Sequence, residues 1–525
     1  MVASVGAQTG QSEDEVTKWR TFWIAIGLAC VYSAVHIGAR LIASPNLGED
    51  DPLTTIYAQW LDFGYSTNEP PLFVWLTWLV QRITGPSLIS FQLLKYGLLI
   101  ATIGAVYLSA YHVTRNAIWS LITAEALTLI YHVGWRFHEG FAGLIPAMLC
   151  SALALLTVFQ IVERPRAVYF IWLGLVLGIG LLAQHSFWLV VFAFTGAALI
   201  VSDIRGRLFR PMVLVTFAVA IGLSALHYSW IFSDAARSAE FLSFHTAFDN
   251  PNPRIDFWKV VRKTVGAPLL FYWSLLLFLL AASWSRVVAH FQTRFLPSID
   301  WSGRPLLQFL GWYAVVAYAV LFLAGVLFSF VNYAYHDLLP LFLPTLVLLF
   351  GIVYQVRPSQ AEMSRWALIS LAIIAFALVG RIANMFIMEP FCSICRWGVP
   401  YATLAQQLKT DGFSSGKIIT FRNELGGNLR AYFPHSVVSD GGWRAFDKAV
   451  RGREATAGAV TKRPPLVLVW QANGRRRIRV SRSALAKHIP RGQSEEVVKT
   501  LRAPWRHIYY GFGYRTTVWR YVIIQ

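Results

Sequence analysis

The chain has 525 residues, 56% of them hydrophobic and only 14% charged. Soluble domains carry roughly 25% charged residues, so this composition excludes an ordinary soluble globular protein and points to a membrane one. The net charge of +19 is lopsided: from Arg396 onward 23 Lys/Arg face 7 Asp/Glu, a balance of +16, and the remaining 23 against 20 leave only +3.

In chain order, the first 20 residues are polar and end in Lys18-Trp19-Arg20. Thr21 to about Ile42 is apolar, too long for a signal-peptide core and without an obvious cleavage site, which predicts an uncleaved first span. A polar stretch at 43–87 follows. Further apolar runs lie near 88–111, 117–134, 140–162, 167–183, 186–202, 211–232, 265–284, 306–330, 336–355 and 366–388. The pattern predicts a polytopic α-helical membrane protein of about eleven transmembrane helices over 1–390. The 21 Trp, 21 Tyr and 36 Phe suit aromatic belts at two lipid–water interfaces.

Alternate loops carry Arg115; Arg164 and Arg166; Arg205, Arg207 and Arg210; Arg286, Arg294 and Arg304; Arg357 and Arg365. The intervening loops hold the acidic stretch after the first span, Arg136-Phe137-His138-Glu139, and Gln184-His185. The positive-inside bias predicts a cytoplasmic N-terminus and an outward-facing C-terminal part. That topology excludes nucleic acid as the partner of the basic tail and leaves anionic lipids or glycolipids.

The tail, 391–525, predicts a basic α/β domain. Tyr401–Leu408 reads as a helix, and Ile418–Phe421, Pro465–Trp470, Arg477–Val480, His507–Tyr510 and Thr517–Ile524 as short strands. Trp443, Trp470 and Trp505 are candidates for its core. Four cysteines are too few for a disulfide scaffold. Cys30 and Cys150 lie in apolar runs; Cys392 and Cys395 suit a structural disulfide or free thiols better than metal or redox work.

The polar stretch after the first span carries the chemistry. Gly48-Glu49-Asp50-Asp51-Pro52 is followed by Asn68-Glu69-Pro70-Pro71-Leu72. Between them Leu53–Leu61 predicts a short amphipathic helix, with Tyr57 and Trp60 suited to a membrane interface. A carboxylate here can take a proton from an attacking hydroxyl or hold a divalent cation, and an adjacent like charge raises its basicity. The same residues also read as a solvated acidic turn or an N-cap for the helix at Leu53.

Asp50-Asp51, Leu61-Asp62-Phe63-Gly64-Tyr65 and Glu69-Pro70-Pro71 are followed downstream by a small-residue span, Leu173–Leu182. In the tail come Tyr401-Ala402-Thr403-Leu404-Ala405, Gly427-Asn428-Leu429-Arg430 and Phe433-Pro434. In this order and spacing the chain resembles the family 39 membrane glycosyltransferases of the GT-C superfamily. The resemblance is nearest to bacterial lipid A and core enzymes of the rhizobial galacturonosyltransferase type. It implies a multi-pass enzyme of the bacterial inner membrane with its C-terminal domain in the periplasm. It also implies a polyprenyl-phosphate sugar donor, an anionic glycolipid acceptor, inversion, and Asp50 as general base beside Asp51. No cofactor is certain, and the acidic pair admits a divalent cation.

The sequence departs from the family at the groups expected to meet phosphate. Gln184 stands where many relatives place Lys, Glu69 precedes Pro-Pro, and Tyr333-Ala334-Tyr335-His336-Asp337 lacks the usual cations. Candidate replacements are Arg136, His138, His185 and His336, each of which also reads as an interfacial or satisfied bundle residue; Tyr57, Glu69, Glu139 and Asp337 complete the candidate substrate-binding residues. Arg254, Lys259, Arg262 and Lys263 offer another phosphate site or a solvated helix. Arg475, Arg476, Arg477 and Arg479 offer a dock for an anionic acceptor or a solvated hairpin. Two other functions stay open: a protein O-glycosyltransferase, and a catalytically altered relative that binds polyprenyl-linked lipid. The hydropathy shows no internal repeat of the kind transporters carry.

Overall fold

The computed structural model describes residues 2–140, 142–246, 257–284, 300–388, 391, 392, 395–442, 445, 464–473, 498–507 and 511–524. Each apolar run of the sequence is helical. Among the described residues eight helices are long and apolar enough to cross a membrane, from Glu15–Ala43 to Gln360–Ile387. Two bent pairs, Ala117–Leu129 with Tyr131–His138 and Phe187–Ile200 with Ser202–Leu208, bring the number to ten. The eleventh run is the 17-residue helix Ala167–Ala183. At 1.5 Å per residue it is about 26 Å long, just short of a typical hydrocarbon core.

Small residues decide how that helix packs. A Cβ on Gly174 would lie 2.6 Å from Thr216 O, and one on Gly178 would lie 3.0 Å from Ala220 O. Two glycines four apart thus let Ala167–Ala183 and Val213–Phe232 meet backbone to backbone, as lipid-embedded helices often do.

After the bundle the chain forms a five-stranded sheet in the order β2-β1-β3-β5-β4: β1 (Lys417–Thr420), β2 (Val437–Ser439), β3 (Leu466–Gln471), β4 (Lys499–His507) and β5 (Gly511–Ile524). β1 lies parallel to both β2 and β3, with Ile418 opposite Val438 and Val467. β5 runs antiparallel to β3 and β4, with an irregularity between Pro504 and Arg506. Helices Tyr401–Thr410 and Asn423–Tyr432 accompany the sheet.

The expected strands at 418–421, 465–470 and 517–524 are present. The pairing partner of β5 is Lys499–His507, with 508–510 outside the described residues. Trp470 is 2% exposed and belongs to the sheet's core, whereas Trp505 is half-buried. Residues 474–497 lie outside the described part, so the Arg477–Val480 strand and the Arg475, Arg476, Arg477 and Arg479 cluster have no structural description; Trp443 and Arg254 lie outside it as well. Cys392 and Cys395 form a disulfide.

The amphipathic helix after the first span is placed differently from expectation. It runs Asp51–Tyr57, and five of its seven residues are buried. It packs on helix Asn423–Tyr432, and Ile56 enters the core of the sheet. Close contact is allowed by Gly427, whose Cβ would stand 2.2 Å from Pro52 O. Gly426-Gly427 reads locally as a helix breaker. Here the pair is helical because the neighbouring backbone leaves no room for a side chain.

Gly427→Ala should therefore force Asp51–Tyr57 away from its seat, an overpacking cost of about 1–3 kcal/mol. The expected outcome is a lower thermal unfolding midpoint in detergent. Gly38→Ala, at a position with nothing within 4 Å, is the control that should not move it.

Candidate active site

The outer loop is held at its root. Arg40, 4% exposed at the end of the first helix, donates to Ser44 O at 2.6 Å and Asn46 O at 2.5 Å, and its guanidinium lies 4.4 Å from the Trp397 ring centroid. Ser44 Oγ donates to Trp397 O at 2.7 Å, and Asn46 Nδ2 donates to the carbonyls of Trp397 and Val399 at 2.8 Å each. Leu47 N donates to Asn428 Oδ1 at 2.8 Å. Glu49 then adopts φ +47°, a left-handed conformation uncommon outside glycine.

The tight turn sends the two aspartates apart. Asp51, the first residue of the helix, is 5% exposed and turns into the protein. Burial raises its carboxyl above the usual range, against the opposing pull of Lys95 and Arg40. Asp50 occupies the N-cap position, yet its side chain makes no cap hydrogen bond. The carboxylate is not consumed by capping and instead lines a cavity of about 350 Å³.

That cavity gathers residues from distant parts of the chain: Asp50 and Glu69 from the loop after the first helix, His185 from the turn between two helices, and His336 and Asp337 from the start of another. Burial raises the Asp50 carboxyl; His336 opposes the shift and Asp337 adds to it. The like charge that matters for Asp50 is thus Asp337, and not the adjacent Asp51 as the sequence suggested. Glu69 is pushed up to about 7 by burial and then by Asp50 and Asp337. His185 is held well below its ordinary value by burial and by neighbouring His245 and His227. It is a neutral imidazole at pH 7, so it offers a hydrogen bond and not a positive charge.

The other predicted residues stand elsewhere. His138 is 4% exposed, stacks on His36 at 3.6 Å, and bonds the Tyr32 and Tyr96 hydroxyls at 2.8 and 2.6 Å. It is a satisfied interior histidine. Glu139 pairs with Arg381 at 2.9 Å and faces a separate cavity with Glu49. Arg136 borders a narrow pocket with His132 and His336. Tyr57 stacks on Tyr65 with centroids 5.6 Å apart.

Lys263 was flagged by the sequence only within a basic segment. Its Nζ donates to Tyr333 O at 2.6 Å and sits over the Tyr333 and Tyr335 rings, so it stands behind Tyr333, which lines the Asp50 cavity. Gln184 Oε1 and Asn68 Oδ1, from two more lining residues, are buried without a hydrogen-bond partner. Such orphaned polar atoms are costly unless a ligand or water meets them. No group of three or more His, Cys, Asp or Glu among the described residues is arranged to hold a metal ion.

Residues 68–230 match the family model described as dolichyl-phosphate-mannose-protein mannosyltransferase. Two lipopolysaccharide core galacturonosyltransferases of Rhizobium johnstonii, RgtB and RgtA, are 26% identical over 209 residues and 24% identical over 212. Each match takes in 40% of this chain and spans 42% of the relative's length. Structures of ArnT from Cupriavidus metallidurans, one bound to undecaprenyl phosphate and one apo, align over 95% of this chain and 97% and 98% of theirs. Their TM-scores are 0.57 and 0.54, at 13% identity, a likeness of fold. An apolar helical bundle, an acidic loop folded against a small sheet, and these matches together make the chain similar, in fold and in part of its sequence, to membrane glycosyltransferases of the GT-C type.

Proposed function

We propose that this protein transfers a hexosyl or pentosyl group from a polyprenyl-phosphate donor to a lipid A, lipopolysaccharide core or similar envelope acceptor. The reaction takes place on the periplasmic face of the bacterial inner membrane. The N-terminus is cytoplasmic, 1–390 forms the catalytic module, and 391–525 is a basic periplasmic domain. One observation carries the reading: Asp50 offers an uncapped carboxylate to a cavity shared with Glu69, His185, His336 and Asp337. The fold likeness to a protein crystallised with undecaprenyl phosphate and the core galacturonosyltransferase relatives support the donor and acceptor classes.

In this mechanism the acceptor hydroxyl gives its proton to Asp50 as its oxygen attacks the anomeric carbon. The bond from that carbon to the phosphate oxygen breaks with inversion, through an oxocarbenium-like transition state. The polyprenyl phosphate leaves as an anion and needs no strong acid. Lys263 and the neutral His185 are the groups suited to stabilise it. The family model's own description keeps a protein acceptor as the second reading. A cavity richer in carboxylates than in cations keeps a third, a non-catalytic binder of polyprenyl-linked lipid.

Asp50→Asn should abolish sugar addition to an envelope glycolipid, read by mass spectrometry at matched expression. Losing a general base costs about 10²–10⁴-fold. Unchanged transfer would reject Asp50 as base, and lipid binding without transfer in the wild type would favour the binder. Asp51→Asn should act through folding, lowering the amount of folded protein more than the rate per folded molecule.

A base must be deprotonated, so activity should rise with pH through Asp50's folded value, above the ordinary carboxylate range. Asp337→Asn removes a like charge and should move that acidic limb to lower pH. A pH–rate profile of the two proteins checks the sign.

Lys263→Gln should weaken use of the donor about tenfold or more, the scale of one charge-assisted hydrogen bond. The effect should appear mainly in the donor concentration dependence.

A further inference from the structure

A second cavity is lined by none of the residues of the Asp50 cavity. It has a volume of about 470 Å³ and sits on the C-terminal sheet. Its floor is the carboxyl end of two adjacent parallel strands: Phe421 and Arg422 follow β1, and Trp470 and Gln471 end β3. In the order β2-β1-β3-β5-β4, β1 and β3 are neighbours whose next strands in the chain, β2 and β4, lie on opposite sides of them. In open α/β sheets, a crevice opens at such a switch point, and ligands bind there. Helix Asn423–Tyr432 begins at the same place, with Glu424 and Leu425 in the wall, so its positive end faces the crevice.

The walls have a consistent chemistry. Arg396, Arg422 and Arg515 line the cavity, with Glu424 the one carboxylate among the described lining residues. Arg396 pairs with Glu424 at 3.2 Å. Arg515 reaches in from β5 and sits 5.1 Å from the Trp505 ring centroid. Trp505 is fixed in turn by its Nε1, which donates to Thr517 Oγ1 at 2.6 Å. Tyr401, 6% exposed, completes the aromatic side.

Guanidinium forks match carboxylate and phosphate oxygens, and an aromatic face suits the C–H side of a sugar ring. We propose that this crevice is a binding site for an anionic saccharide, with its carboxylate or phosphate on Arg422 and Arg515 and its ring against Trp505. A further cavity of about 630 Å³ shares Cys395, Arg396, Tyr401 and Glu424 with it and extends to Gly48 and Glu49, beside Asp50. The Arg396–Glu424 pair therefore stands between the crevice and the loop that carries Asp50. As the hold on the distal part of an acceptor glycan, the site rests on the transfer reading; as a binding site, it is measurable without transfer.

The test uses the full chain in phosphatidylcholine nanodiscs and calorimetric titration with trigalacturonate, glucose 6-phosphate and neutral maltotriose. At least one anionic probe should bind more tightly than maltotriose, with affinity falling as salt rises. Preference for trigalacturonate identifies a uronate ligand, and preference for the phosphate identifies a phosphorylated sugar. Arg422→Gln and Arg515→Gln should each weaken the anion about tenfold, and Trp505→Ala should weaken it further. If Arg422→Gln lowers the unfolding midpoint, Arg515→Gln decides. Asp50→Asn should bind the probe as the wild type does, even where transfer is lost. The proposal is overturned if maltotriose binds as well as both anions or if Arg515→Gln binds unchanged. Loss of the probe in Asp50→Asn would also overturn it, by locating the anion in the membrane cavity.

Discussion

Arg40 ends the first helix with a guanidinium buried among backbone carbonyls, and the way it is satisfied fixes the root of the acidic loop against the start of the C-terminal part. A buried cation is tolerated only when its donors are met. The carbonyls that meet them belong to Ser44 and Asn46, whose own side chains hold the backbone at Trp397 and Val399. One polar network therefore joins the first helix, the loop root and the start of the C-terminal part. It leaves Glu49 so little freedom that the residue takes a left-handed conformation. Local strain of this kind persists when surrounding contacts over-determine the chain, and here it stands directly before Asp50.

The consequence is electrostatic. Successive residues at a helix start point about 100° apart, so two neighbouring carboxylates need not share a solvent. Asp51 faces the interior and the cations Lys95 and Arg40; Asp50 faces the cavity, His336 and Asp337. Burial raises the basicity of Asp50, and charges distant in sequence, His336 and Asp337, modulate it. The cavity is acidic on the loop side, and the cation Lys263 stands behind Tyr333. That asymmetry suits a site where one side takes a proton and the other meets a departing anion.

Much of the architecture was legible in the residues. The apolar runs marked the helices, and Ile418–Phe421 and Pro465–Trp470 marked two strands almost to the residue. Asp50, Glu69, His185, His336 and Asp337 were named beforehand and share one cavity. His138 was named too, but its ring stacks on His36 and bonds two tyrosine hydroxyls, contacts between helices that no local pattern reveals. Lys263 was named only together with Arg254, Lys259 and Arg262, because only its contact with Tyr333 distinguishes it from them. The helix at Asn423–Tyr432 was hidden by its glycines, whose lack of a side chain serves the contact with Pro52.

What the sequence by itself determined was the solvent of each segment. A bilayer requires long apolar helices with their hydrogen bonds satisfied internally, and composition records that demand directly. The concentration of positive charge after Arg396 was equally plain. Only the tertiary structure decided which carboxylate meets the cavity, which histidines stay neutral, and where the tail's arginines collect around aromatic rings. Those outcomes depend on burial and on charges hundreds of residues apart, because desolvation and Coulomb interactions act through space and leave no trace in spacing along the chain.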